Sequence, residues 1–362
     1  MLLQLAIGTT ILLFAAILLL IVGLVARRSL DARSEQREQE TYDRLRPHVV
    51  AWLGDPHASP GPELLGATDA ASRDVLSKLL SRYGSMLRGE ARERLIAFVA
   101  EQGYVEASVR DLRSLRSWKR GRAARALGDF GSARAVRHLS LVVVRDNDRF
   151  VRLAATRALG RIDDYKSAAA LLMLLPTERV PAGVVAQSLL DLGIHGFGAL
   201  VSGCDDEDDV TRRTACRLVG LIGAGASPDS MRAAHEVLQR RAAADRDAGV
   251  RSAALGALAA LGDTRSEDVV REALRDEDAS VRQAAAATAH ALFLREVAPE
   301  LLAVVGRELV LDRPNWRLVR VAAHAWAALA EHLDAGGLAV EVRDVGTPFL
   351  REAAVASSRS LA

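Results

Sequence analysis

The chain has 362 residues, half of them hydrophobic but only 4% aromatic, with 26% charged residues and a formal net charge of +2. Two cysteines, Cys204 and Cys216, cannot form a disulfide framework and no CxxC occurs, which argues against an oxidised, secreted scaffold. Low proline and abundant Ala, Leu and Arg point away from disorder and toward a helical globular or repeat protein.

Its 64 alanines against 15 aromatics mean that any core is built by close helix contacts. The 45 Arg against 3 Lys, together with the alanine content, suggest by association a GC-rich bacterial genome.

Residues 2–26 (LLQLAIGTTILLFAAILLLIVGLVA) carry no charge and include 16 Leu, Ile, Val or Phe. As a helix the stretch is roughly 37 Å long, enough for a hydrocarbon core of ~30 Å, and it is expected to be a transmembrane helix. A cleaved signal peptide fits poorly. No Lys or Arg precedes the apolar run, and Arg27 and Arg28 stand where small residues would mark cleavage. Arg27, Arg28 and Arg33, with Arg37, anchor the topology: the N-terminus outside, the bulk of the chain in the cytoplasm of a bacterial inner membrane.

Residues 27–68 read as a juxtamembrane helix bent by Pro47, followed by a Gly-, Pro- and Asp-rich loop at 54–68. From Asp69 apolar residues recur at helical spacing and no strand pattern appears. Residues 69–333 are expected to form a solenoid of seven or eight helix pairs, and 334–362 a C-terminal cap or tail.

Self-comparison carries the fold. DNDRFVRLAATRALGRID (146–163), DRDAGVRSAALGALAALGD (245–263) and DEDASVRQAAAATAHALF (276–293) share Asp-x-Asp-x-x-Val-Arg-x-x-Ala. WKRGRAARALGDFG (118–131) is an older copy, 32 residues before its counterpart. The stretches 205–223 and 315–330 are looser ones, and 180–193 holds a degenerate unit. The spacing places Val-Arg anchors at 151, 210, 250, 281 and 319. Such a period marks a helical solenoid. In each copy the Asp pair caps the inner helix. The Val opens the buried stripe, the Ala positions admit close helix approach, and Gly160, Gly223 or Gly262 closes the helix in a left-handed cap.

With these residues in place the chain resembles the HEAT-repeat family, and more closely the bacterial HEAT-like repeats also seen in phycobilin lyases. The resemblance covers roughly residues 69–333. It implies an all-α solenoid, and it specifies function weakly because such solenoids serve as scaffolds, adaptors and a few enzymes.

Little catalytic chemistry is legible. None of the eight histidines pairs at i,i+3 or i,i+4 with another. The HEAT-like deoxyhypusine hydroxylases bind iron through several His-Glu dipeptides, and here only His235-Glu236 matches. The acidic run Asp205–Asp209 reads as a helix start, since calcium loops want spaced ligands and a Gly turn. Phosphate-loop, nucleophile-elbow and zinc-helix motifs are absent from the sequence. No cofactor or metal is expected.

Charge is uneven. Residues 27–160 carry a net +8 and residues 161–362 a net −6. The densest basic piece holds Arg110, Arg113, Arg116, Lys119 and Arg120, with Arg122 and Arg125 behind it, and a spacing of three puts its first three arginines near one helical face. The first reading is a solvated face crossed by Arg-to-Asp ladders between repeats. The functional reading beside it is contact with anionic lipid or an acidic partner. Nucleic acid is not expected, because Trp118 is the one aromatic nearby.

The expected function is a non-catalytic, membrane-anchored scaffold or adaptor that binds a membrane-associated protein. Tethered HEAT proteins resemble accessory subunits of envelope machinery, including membrane glycosyltransferases. The alternative is a HEAT-like chromophore lyase or isomerase, and a third reading is a DNA-repair binder.

Overall fold

The computed structural model describes residues 2–330. Met1 and residues 331–362 lie outside the described residues, and with them the expected cap or tail at 334–362. So do many side chains of residues 2–33, including those of Arg27 and Arg33. Every regular element among the described residues is helical, and the chain divides into two compact units after Arg110.

The first unit begins with α1 (Leu2–Gly54), one 53-residue helix that contains both the apolar stretch and the polar segment after it. Pro47 lies inside this helix and does not end it, although its ring nitrogen has no hydrogen to donate. The short α2 (Pro62–Leu65), then α3 (Ala70–Gly84) and α4 (Gly89–Glu101), pack on α1. Leu45, Val49, Trp52 and Leu53 are buried there, and the Trp52 and Phe98 rings meet with centroids 4.9 Å apart. Arg94 closes the C-terminal end of α1: its Nη1 donates to Asp55 O at 2.7 Å and its Nη2 to Leu53 O at 3.2 Å. Basic groups suit this negative end of the helix dipole. α5 (Tyr104–Asp111) follows.

The second unit opens with α6 (Ser117–Phe130) and continues as helix pairs. These are α7 (Val136–Arg145) with α8 (Arg149–Leu159), and α9 (Tyr165–Leu172) with α10 (Ala182–Leu192). Next come α11 (Phe197–Gly203) with α12 (Asp209–Ile222), and α13 (Pro228–Ala244) with α14 (Ala248–Leu261). α15 (Glu267–Ala273) with α16 (Ala279–Ala291), and α17 (Ala298–Leu309) with α18 (Trp316–Ala330), complete the described repeats. The second helices α6, α8, α10, α12, α14, α16 and α18 pack each on the next, and the first helices α7, α9, α11, α13 and α15 do the same. Two helical layers result, the architecture of an α-solenoid.

The template residues do most of what their chemistry predicts. Asp148, Asp208, Asp247 and Asp278 each cap a second helix by accepting backbone N–H bonds from its first turn. Val151, Val250 and Val281 are buried anchors. At two other repeats the register is one residue away from the expected one. Val210 is 38% exposed, and Thr211 fills the anchor position at 1%, its hydroxyl satisfied by Asp208 at 2.8 Å. In α18 the Asn315 side chain accepts from Leu318 N, which puts Leu318 at the anchor register, and the expected Val319 beside it is buried as well.

The closing glycines also need correction. Gly262 has φ +73° and makes the expected left-handed cap, whereas Gly160 and Gly223 are right-handed. Gly160 is required by proximity: a Cβ there would lie 2.6 Å from Ser188 O on α10. Gly128 serves α6 and α8 in the same way, its absent Cβ falling 2.6 Å from Ala158 Cα.

Among the described residues one helical stretch, Ala182–Gly203, is long and apolar enough to cross a membrane, and the expected span at residues 2–26 does not emerge by that measure. It consists of α10 and α11 joined by a turn at Gly193 (φ +54°), with Leu189, Leu192, Phe197 and Leu200 buried within the stack.

Candidate functional site

A row of arginines runs through the second helices, and it decides which basic residues are available for binding. Arg120, Arg152, Arg212, Arg251 and Arg282 sit four residues after the N-cap position of their helices. Each turns its Nη1 back to the carbonyl six residues earlier: Ser114, Asp146, Asp206, Asp245 and Asp276, at 2.9–3.1 Å.

Four of them also reach forward to an acid of the next repeat. Arg120 forks onto Asp146 (2.7 and 2.9 Å), Arg212 onto Asp245 (2.8 and 2.9 Å) and Arg251 onto Asp276 (2.8 and 2.8 Å). Arg282 donates to Glu308 at 2.5 Å. Parallel N–H···O pairs of this kind are strong and directional. The degenerate unit interrupts the row, and Arg152 there donates to the Arg179 carbonyl at 3.2 Å. Burial works to raise the Asp146 and Asp245 carboxyls, but the bonds from Arg120 and Arg212 outweigh it and hold both below the usual carboxylate range.

Of the basic residues singled out in the sequence, Arg120 therefore belongs to this ladder and is half-buried in it. Arg110 lies in the last turn of α5, and Arg113 and Arg116 follow after that helix has ended. Their spacing of three does not place them on one helical face, because residues 112–116 are non-helical. All three are exposed. Lys119 lies over the Trp118 ring, 5.8 Å from its centroid. Arg28 and Arg37, the expected topology anchors whose side chains are described, are exposed on α1.

The exposed stripe of the second helices is set by the same register. Two residues after the N-cap position stand Trp118 on α6 and Phe150 on α8, 56% and 71% exposed. Seven residues further stand Arg125 and Arg157, both exposed. Positions seven apart lie on one face of a helix, so each aromatic has its arginine about two turns along. Together these side chains line an open cleft of about 460 Å³ between α6 and α8, with Gly121, Leu153, Ala154 and Arg161 also in its lining. Arg161 is paired with Asp129. Arg122 and Arg149 lie over the Trp118 and Phe150 rings at 5.7 and 5.4 Å. Another cleft, between α12 and α14, is lined by Arg217, Leu221 and small residues from Gly220 to Ala260.

The singular residues are engaged elsewhere. Cys204 and Cys216 are buried, and Cys204 donates to Leu200 O at 3.4 Å. Its hydrogen bond with Cys216, followed by burial, pushes the thiol well above its ordinary value and away from nucleophilic use. His235 Nδ1 accepts from Arg265 at 2.9 Å. In the acidic run, Asp205 takes Arg240 and Arg241, Asp208 caps α12 and Asp209 takes Arg213. Among the described residues no three His, Cys, Asp or Glu side chains converge to hold a metal.

Stacked two-helix repeats with one laterally open stripe define an α-solenoid. Residues 112–189 and 198–291 match the family described as HEAT repeats, which agrees with the helix pairs seen over those residues. Among solved structures, an engineered protein shares 19% identity over 90% of this chain and 95% of its own, with a TM-score of 0.37. The phycocyanin lyase complex from Nostoc shares 20% over 69% and 94%, at 0.30. Human deoxyhypusine hydroxylase shares 17% over 89% and 96%, at 0.29. No curated protein sequence matches the chain.

Proposed function

We propose that this chain is a non-catalytic scaffold, anchored by α1 in a bacterial inner membrane, that holds a membrane-associated partner protein at the cytoplasmic face. The observation that carries the tether is the apolar end of α1. Phe14, Leu18, Leu19, Leu20, Ile21, Val22 and Leu24 are all at least 50% exposed. Five consecutive residues at about 100° per step cover the whole circumference of a helix, so an apolar solvent, not one protein face, suits this segment. The unbroken path of α1 from this segment to Trp52 then makes a stiff post carrying the first unit.

HEAT-type solenoids generally mediate protein–protein interaction, which supports the partner half of the reading. The engaged state of Cys204, Cys216, His235 and the acidic run supports a non-catalytic role. Exposed Arg110, Arg113 and Arg116 suit anionic headgroups or an acidic surface, and the partner class includes envelope machines such as membrane glycosyltransferases.

A topology reporter tests the reading. A C-terminal fusion to the full chain is expected to fractionate with membranes and to be active in the cytoplasm. Activity in the periplasm, or fractionation with soluble proteins, overturns it.

A further inference from the structure

We infer that the cleft between α6 and α8 binds an extended acidic segment of a partner protein, with an apolar side chain against Trp118 and Phe150 and carboxylates on Arg125 and Arg157. The inference rests on the scaffold reading above and gives it a site and a partner chemistry.

Three observations carry it. Large aromatics at this register are confined to two adjacent helices: later second helices place Val210, Gly249, Ser280 and Arg317 there. Trp118 and Phe150, each more than half exposed on successive repeats, line the same cleft and are left out of the buried core, with only nearby basic side chains over their rings.

The second observation is charge. Arg125 and Arg157 have no ion-pair or hydrogen-bond partner among the described residues, although 46 acidic residues are distributed along the chain. Asp148, the carboxylate lining the cleft, is committed to the N–H groups of Phe150 and Val151 at 2.8 and 3.3 Å. The cleft therefore presents cations to its occupant, and complementarity asks for carboxylates.

The third is length. Seven helical residues separate each aromatic from its arginine, about 10 Å along the axis at 1.5 Å per residue. An extended peptide covers that distance in about three residues. The occupant is thus a short stretch with an apolar residue and acidic residues about three positions away, doubled across the two helices.

A peptide is favoured over nucleic acid because the cationic track is short. Beyond α8 the exposed side of α10 offers Gln187 bonded to Asp191, and the cleft between α12 and α14 contains one arginine among small residues. Nucleic-acid affinity grows with the number of phosphates neutralised along a continuous track.

Fluorescence anisotropy on the full-length chain in detergent tests the site. The probes are a twelve-residue labelled peptide in which Leu or Phe recurs three residues from Asp-Glu pairs, the same peptide with Asn and Gln for the acids, and a twelve-nucleotide single strand. The acidic peptide is expected to bind saturably, at least tenfold tighter than its neutral version, and less tightly as salt is raised. Trp118→Ala with Phe150→Ala, and separately Arg125→Glu with Arg157→Glu, are each expected to weaken it at least tenfold while the helical signal is unchanged. The inference is overturned by absence of saturable acidic-peptide binding, by equal affinity for the neutral peptide, or by variants that bind like the parent. Tighter, variant-sensitive binding of the oligonucleotide overturns it in favour of a nucleic-acid cleft. The titration needs neither bilayer nor native partner, so its failure leaves the tether to the topology reporter, and failure of the reporter leaves the cleft intact.

Discussion

α6 with α8, and α14 with α16, are two stretches of one solenoid that agree inside and differ outside. Both pairs carry the ladder arginine at the same register, Arg120 and Arg152 in one and Arg251 and Arg282 in the other, each bonded to the carbonyl six residues back. On the exposed stripe, Trp118 and Phe150 correspond to Gly249 and Ser280, while Arg125 and Arg157 correspond to Gly256 and Ala287. Packing constrains the inner registers to a narrow choice of residue. The outer ones are free of that demand, so a departure there from small residues is a sign of use. On the proposal made above, function lies in the positions where the repeats disagree.

The comparison can be broken most forcefully from the inside. Arg212 and Asp245 have side chains only 4% and 1% exposed, and Arg212→Ala leaves a buried carboxylate without its fork. The expected cost is about 3–5 kcal/mol, read as lost hydrogen-exchange protection in α12 and α14. Protection equal to the parent would mean that the ladder is ornamental.

Gly128→Val comes next. Its side chain must displace α8 at Ala158, at a cost of about 1–3 kcal/mol in the same assay. An unchanged exchange pattern there would remove close approach as the reason for glycine.

Acid sharpens the same point. Asp146, Asp245 and Asp263 are held below their ordinary values against burial, chiefly by Arg120, Arg212 and Arg265 respectively. A carboxylate depressed in the folded state contributes stability that is fully present above its unfolded pKa of about 3.9 and is lost as pH falls through the folded value. Thermal melts are expected to be level from pH 7 to about 5 and to drop below about pH 4. A maximum near pH 3 would contradict the sign.

The smallest effect belongs to the outside. Arg157→Ala is expected to change stability by less than about 0.5 kcal/mol, since the side chain is exposed and unpaired among the described residues. A loss as large as that of Arg212→Ala would erase the distinction between the two kinds of register.

The fold was legible because the template is physical. Asp caps and Val anchors recur where a helix must start and bury its first turn, and the structure places them so at Asp148, Asp247 and Asp278. Thr211 escaped because a threonine whose hydroxyl is bonded to its own cap packs like a valine, while Val210 offers a better match by residue type. Gly160 was legible as special, but its reason was not, since a neighbour 28 residues away is invisible in a local pattern.

The site was legible only in part. A cluster judged by sequence neighbourhood joined Arg110, Arg113 and Arg116 across a helix end that no Gly or Pro marks, and it counted Arg120 as free when Asp146 holds it. Trp118 read as an isolated aromatic for the same reason. Its companion Phe150 is 32 residues on, one repeat away, as Arg157 is from Arg125. Comparing equal registers of successive repeats was the signal that would have found the cleft.

The central claim is that inner registers specify the solenoid and outer registers specify what it holds. The most direct test measures the thermal midpoint and acidic-peptide affinity of one preparation of full-length Trp118→Ala/Phe150→Ala, beside Arg212→Ala. The account predicts that the double variant keeps its midpoint and loses at least tenfold in affinity, while Arg212→Ala loses stability and, well below its own midpoint, still binds. A double variant that melts early yet binds like the parent would contradict it.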